Sequence, residues 1–132
     1  MKTTAYHGTV WGGFSEFSQD LQPDFGMYFT DDGVVAEGYA GTDETYDGAR
    51  EDFYPCVYYV KLTIANPLII NAQGKGWEDI DGLTTREIAA QAKRDGYDGV
   101  VFENVIDCGP YCSDLREATT YVVFESSQIS IL

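Results

Sequence analysis

The run Gly26-Met27-Tyr28-Phe29-Thr30-Asp31-Asp32-Gly33, continued by Val34-Val35-Ala36-Glu37-Gly38-Tyr39, restricts the fold of this chain more than any other stretch. Its first half is short and aromatic, as a strand requires. The aspartate pair ends it, and the chain turns at once into a short helix. Tyr28 and Tyr39 stand eleven residues apart. A strand followed by a helix of about three turns doubles back, so both rings can reach one cleft. Two phenol rings in one cleft suit a flat ligand, although packing in a core or at its rim would place them there as well.

With 132 residues, 44% of them hydrophobic, the chain can bury a core without staples, and residues 1–132 are expected to form a single domain. The longest apolar runs, such as Val57 to Ile64 interrupted by Lys61, are too short to span a bilayer. Met1-Lys2-Thr3-Thr4 leads into no apolar signal region, so a soluble, cytoplasmic protein without membrane contact is expected. Three cysteines, Cys56, Cys108 and Cys112, are an odd number and argue against a complete disulfide framework. Free thiols are expected, with a Cys108–Cys112 link open in an oxidising setting. A lone histidine far from them leaves no complete metal ligand set.

Charge narrows the partners. Acidic residues number 22 against 8 basic ones, a formal net of -14, and such a surface repels phosphate backbones and argues against direct nucleic-acid binding. It would instead be steered toward a basic protein, unless the charge only maintains solubility.

Along the chain, Thr4 to Thr9 suits a first strand, and Trp11 to Asp24 a loop with one helical turn around Phe14 to Phe17, tucking Trp11, Phe14, Phe17 and Phe25 beneath it. Gly41 to Glu51 is acidic, aperiodic and the best candidate for a lid. Val57 to Ile64 is β-branched and aromatic and reads as the clearest strand, broken by Asn66-Pro67 before Leu68-Ile69-Ile70. Thr84-Thr85-Arg86-Glu87 carries a capping-box pattern, and Gly96 stops the helix it opens. Val100 to Phe102, Thr120 to Phe124 and Gln128 to Ile131 complete a set of short strands with few helices, an α+β fold.

His7 is the only histidine, at a strand end before Gly8, where the missing side chain would let a ligand approach the backbone. A lone histidine is more often a satisfied structural residue than a functional one. A histidine for a ribose hydroxyl, a glycine backbone for a carboxamide and tyrosines for stacking would together form a dinucleotide site without a phosphate loop. No Gly-x-Gly-x-x-Gly or Walker pattern competes.

Tyr6-His7-Gly8-Thr9, Gly26-Met27-Tyr28-Phe29-Thr30-Asp31, Ala36 and Tyr39, in that order, resemble the nicotinamide-binding half of ADP-ribosyltransferases of the diphtheria-toxin and poly(ADP-ribose)-polymerase class. Asn66-Pro67-Leu68-Ile69-Ile70, Gly96-Tyr97-Asp98-Gly99-Val100-Val101 and Tyr121 to Ile129 resemble its small branch in polyvalent phage and mobile-element proteins. The resemblance implies two small, mostly antiparallel sheets packed around an NAD cleft, with NAD as co-substrate. It implies that His7 holds the nicotinamide ribose, the Gly8 backbone pairs with the carboxamide, and Thr9 lies near the adenosine ribose. Tyr28 would be the triad tyrosine and Tyr39 the ring stacked on nicotinamide, while Ala36 falls where polymerases often carry a carboxamide-binding serine.

Thr120 departs from the pattern, because the polymerases carry a glutamate at this third triad position. Strand alternation puts Thr120, Val122 and Phe124 on one face and Tyr121, Val123 and Glu125 on the other, so Glu125 cannot substitute without a change of register. Glu103, Glu117 and Gln128 are the remaining candidates for a relocated polar group. A His7-Tyr28-Thr120 triad resembles mono-ADP-ribosyltransferases, in which the acceptor can supply the carboxylate, or inactive relatives. The expected function is transfer of one ADP-ribose from NAD to a basic, host protein, with a phage or mobile-element effector acting on host defence or regulation as the setting. NAD hydrolysis and a dead, acidic nucleic-acid mimic that blocks a basic partner are the alternatives.

Overall fold

The computed structural model describes residues 1–18, 26–42, 53–111 and 114–132. Among them the chain forms, in order, β1 (Lys2–Thr9), β2 (Met27–Thr30), α1 (Gly33–Ala40), β3 (Cys56–Thr63) and β4 (Pro67–Asn71). There follow α2 (Thr85–Arg94), β5 (Gly99–Asp107), β6 (Arg116–Val123), one 3-10 turn at Ser126–Gln128 and β7 (Ile129–Ile131).

The strands lie in the order β4-β5-β6-β2-β1-β3-β7. All neighbours are antiparallel except β4 and β5, which α2 links in parallel. The fold is therefore α+β, but the two sheets expected from the resemblance are joined in a single seven-stranded ladder. The junction is narrow: β1 pairs with β3 along its whole length, from Lys2↔Thr63 to Thr9↔Cys56, yet meets β2 only at Tyr6↔Thr30. β2 pairs with β6 through all four of its residues, so the ladder opens on its β1 side only, beyond that one pair.

Pleating sends successive side chains of each strand to opposite faces. Phe29, Val101 and Val123 join Ala5, Tyr58, Val60 and Leu62 in one buried cluster, against which Tyr121 packs. Val100, Phe102, Val122 and Phe124 join Ala89 and Ala92 of α2 in the other. The alternation read for Thr120 to Glu125 is thus the alternation observed, with Val122 and Phe124 on the α2 side and Val123 on the far side.

The aspartate pair divides its work. Asp31 extends the pairing with β6, donating its N–H to Thr119 O at 3.1 Å and accepting the Thr119 N–H at 2.9 Å. Asp32 caps α1, its Oδ1 accepting the Val34 N–H at 2.9 Å, while Oδ2 holds Arg116 Nε at 2.7 Å. At eight residues α1 makes about two turns, shorter than expected. It lies against β1 because Gly8 has no side chain: a Cβ there would overlap the Ala36 carbonyl. The space that the sequence suggested for a ligand is filled by α1.

α2 opens with both capping-box bonds present, Glu87 N–H to Thr84 Oγ1 and Thr84 N–H to Glu87 Oε1, each 3.1 Å. Residues 14–18 contain no helical turn. That loop is held instead by aromatic contacts: Phe14 stacks on Tyr58 at 4.4 Å, and the Tyr58 hydroxyl donates to Phe14 O at 2.7 Å. Phe14 and Phe17 are tucked as expected, whereas Trp11 stays 58% exposed. The expected Cys108–Cys112 alternative involves Cys112, and the Gly41 to Glu51 lid involves residues 43–51, all outside the described residues.

Candidate active site

Where the ladder opens between β1 and β2, His7 bridges the two strands with its side chain. Its Nδ1 lies 2.7 Å from the Tyr28 carbonyl oxygen. A carbonyl can only accept, so Nδ1 carries the proton. Phe17 meets the imidazole edge-on at 5.1 Å and Phe29 lies at 5.5 Å, and burial in this aromatic surround lowers the His7 pKa. The ring is therefore neutral at pH 7, with Nε2 left as an acceptor suited to a hydroxyl donor.

The opening leads into a cavity of about 610 Å3. Tyr6, His7, Gly8 and Thr9 of β1 form one wall, and Met27 to Thr30 of β2 another. Tyr39 arrives from α1, Thr120 from β6, and Thr85 and Arg86 from α2. Of the residues expected at the site, His7, Gly8, Thr9, Tyr28, Tyr39 and Thr120 all line this one cavity. Ala36 does not: it is fully buried, its backbone against Gly8.

The two tyrosines differ in setting. Tyr28 packs against the α2-side core, and its Oη is buried with no hydrogen-bond partner among the described residues. Burial pushes its pKa up to about 12, against the opposing pull of the Arg86 charge and of Thr85, which lies close without meeting hydrogen-bond geometry. Tyr39 is 36% exposed at the cavity mouth. Its hydroxyl donates to Asp107 Oδ2 at 2.7 Å, while Asp107 Oδ1 accepts the backbone N–H groups of Cys108 at 2.8 Å and Gly109 at 3.1 Å. Burial, then the Asp107 charge and hydrogen bond, raise the Tyr39 pKa, so the phenol remains a donor.

Thr120 pairs with Thr30 on one side and Phe102 on the other, which places it on the same face as Val122. None of Glu103, Glu117, Glu125 and Gln128 lines the cavity. Gln128 is committed elsewhere: its Oε1 accepts the Phe124 and Glu125 N–H groups, and its Nε2 donates to Thr63 O and Asp98 O. The carboxylates that do line the cavity, Glu16 and Asp107, were not singled out by the sequence, nor were Arg86, Thr85 and Trp77 as site residues. In the sequence Arg86 stands only within the helix-cap pattern, and Asp107 belongs to no motif. Nothing local marks either one, since the fold brings them to the cavity from distant segments.

A histidine and two tyrosines thus line one cavity at the opening of a mostly antiparallel sheet. Residues 2–131 match the sequence profile of the family described as ADP-ribosyltransferase in polyvalent proteins, and the chain belongs to that family. No curated protein matches the chain. No helix among the described residues is long and apolar enough to cross a membrane.

Proposed function

We propose that the chain binds NAD in this cavity and transfers one ADP-ribose to a protein acceptor. The observation that supports the reading best is the His7–Tyr28 bridge at the sheet opening, with Tyr39 facing the same space. The residues present fit NAD. The cavity is large enough for a dinucleotide, two phenol rings are available to a planar pyridinium, and the neutral imidazole offers Nε2 to a ribose hydroxyl. The Gly8 backbone remains on the cavity wall for a carboxamide, although its side-chain position is closed by α1.

NAD supplies the reactive bond: ribose C1 separates from the nicotinamide nitrogen, which keeps the electron pair and leaves neutral, and an acceptor side chain bonds to C1. His7 and Tyr28 orient the ribose, and Tyr39 holds the departing ring. Thr120 offers a hydroxyl and no carboxylate, so the acceptor brings its own nucleophilic charge or loses its proton to water. This favours a single transfer over chain growth.

The net charge of -14 favours a basic acceptor, and the polyvalent-protein family favours a phage or mobile-element effector acting in the host cytoplasm on a defence or regulatory protein. The test is a host-cell lysate incubated with the protein and labelled NAD, analysed by mass spectrometry beside His7→Ala. One ADP-ribose on a discrete protein, absent with the variant, is expected. Equal labelling by both proteins would refute the assignment.

The absence of an acid at Thr120 supports a second reading, an inactive, acidic nucleic-acid mimic. This reading expects salt-sensitive binding to a basic partner and no NAD binding.

A further inference from the structure

We infer that Arg86, at the start of α2, holds the diphosphate of NAD. The inference rests on the NAD reading above and adds to it the residue that selects a dinucleotide over a nucleoside that lacks phosphate.

A doubly charged diphosphate entering a chain of net charge -14 meets repulsion unless a cation faces it. Among the described residues, Arg86 is the only lysine or arginine lining the cavity. Its side chain is exposed, so its guanidinium can be reached from solvent, and it rides on a fixed element. The capping box sets the first turn of α2, and burial of Thr85, Ala89 and Ala92 fixes the helix against the sheet. A planar guanidinium can give phosphate oxygens two parallel N–H bonds, which an ammonium cannot.

The neighbouring groups agree. Tyr28 Oη, close enough to Arg86 to feel its charge, is a buried O–H with no partner among the described residues. Of the carboxylates lining the cavity among the described residues, Asp107 already accepts the Tyr39 hydroxyl and two backbone N–H groups, and Glu16 belongs to the loop after β1. This end of the cavity therefore joins a cation to a neutral donor.

The test is calorimetric titration of the full chain, Arg86→Gln and Arg86→Lys with NAD, ADP-ribose and nicotinamide riboside, which lacks the diphosphate. Circular dichroism checks that each variant is folded. Arg86→Gln should weaken NAD and ADP-ribose by roughly ten- to a hundredfold without weakening nicotinamide riboside, itself a cation, with Arg86→Lys in between. Added salt should weaken NAD binding to the parent more than to Arg86→Gln. Unchanged NAD affinity in Arg86→Gln, or an equal loss for nicotinamide riboside, would overturn the Arg86 assignment and leave the NAD site standing. Absence of binding by the parent protein to any of the three would overturn both.

Discussion

His7 decides more here than any other residue, because one side chain both bridges the sheet opening and faces the cavity. Its pKa is lowered from 6.5 by burial, so the folded ring resists a proton that the unfolded ring accepts. Below about pH 6.5 the unfolded state binds more protons, and the His7 contribution to stability is lost as pH falls. Thermal unfolding at pH 7 and pH 5 should therefore show a smaller pH dependence in His7→Asn than in the parent, and equal dependence would contradict a buried neutral imidazole. With its ring at the cavity, Tyr39→Ala should weaken NAD binding by about 0.5 to 1.5 kcal/mol beyond the lost area without unfolding the chain, read by calorimetry. Asp107→Ala removes the group that fixes that ring and should raise KM for NAD more than it lowers kcat, with partial rescue in Asp107→Asn. Thr120→Glu adds the missing acid on the cavity face, so NAD hydrolysis or chain growth should rise. No change in either would place the reacting atoms away from β6.

Elements were legible where local chemistry alone sets them. The capping box at Thr84 and Glu87, and Gly96 at φ 91 just past α2, are interactions among neighbours, and each stands where the sequence put it. Thr84→Ala should cost about 1 kcal/mol in chemical denaturation, as the loss of a helix cap does. The β2–Asp32–α1 run was equally readable because strand, cap and helix follow one another without a gap. What the letters did not carry was tertiary. A continuous ladder in place of two sheets depends on the single Tyr6↔Thr30 pair, and the closure of the Gly8 space depends on where α1 lands. Gly8→Ala should consequently destabilise the fold by about 1 to 3 kcal/mol through overlap with the Ala36 carbonyl. An unchanged unfolding midpoint would show that α1 can withdraw from β1.

At the scale of the whole molecule, the proposed function gives the site and the surface charge different partners: the acidic surface would steer a basic acceptor over a distance set by salt, while the cavity walls carry a neutral imidazole, two tyrosine rings and one guanidinium. The family to which residues 2–131 belong, the opening between β1 and β2, and the convergence of His7, Tyr28 and Tyr39 all favour chemistry on NAD. The same net charge of -14 opposes compaction, so raising salt from low to physiological strength should raise the unfolding temperature. The most direct measurement of the central claim is titration of NAD into the purified chain and His7→Ala, both confirmed as folded. Saturable binding of one NAD per chain, weakened at least about tenfold in the variant, is the predicted result. No saturable binding by the parent, or identical binding by the two, would contradict it.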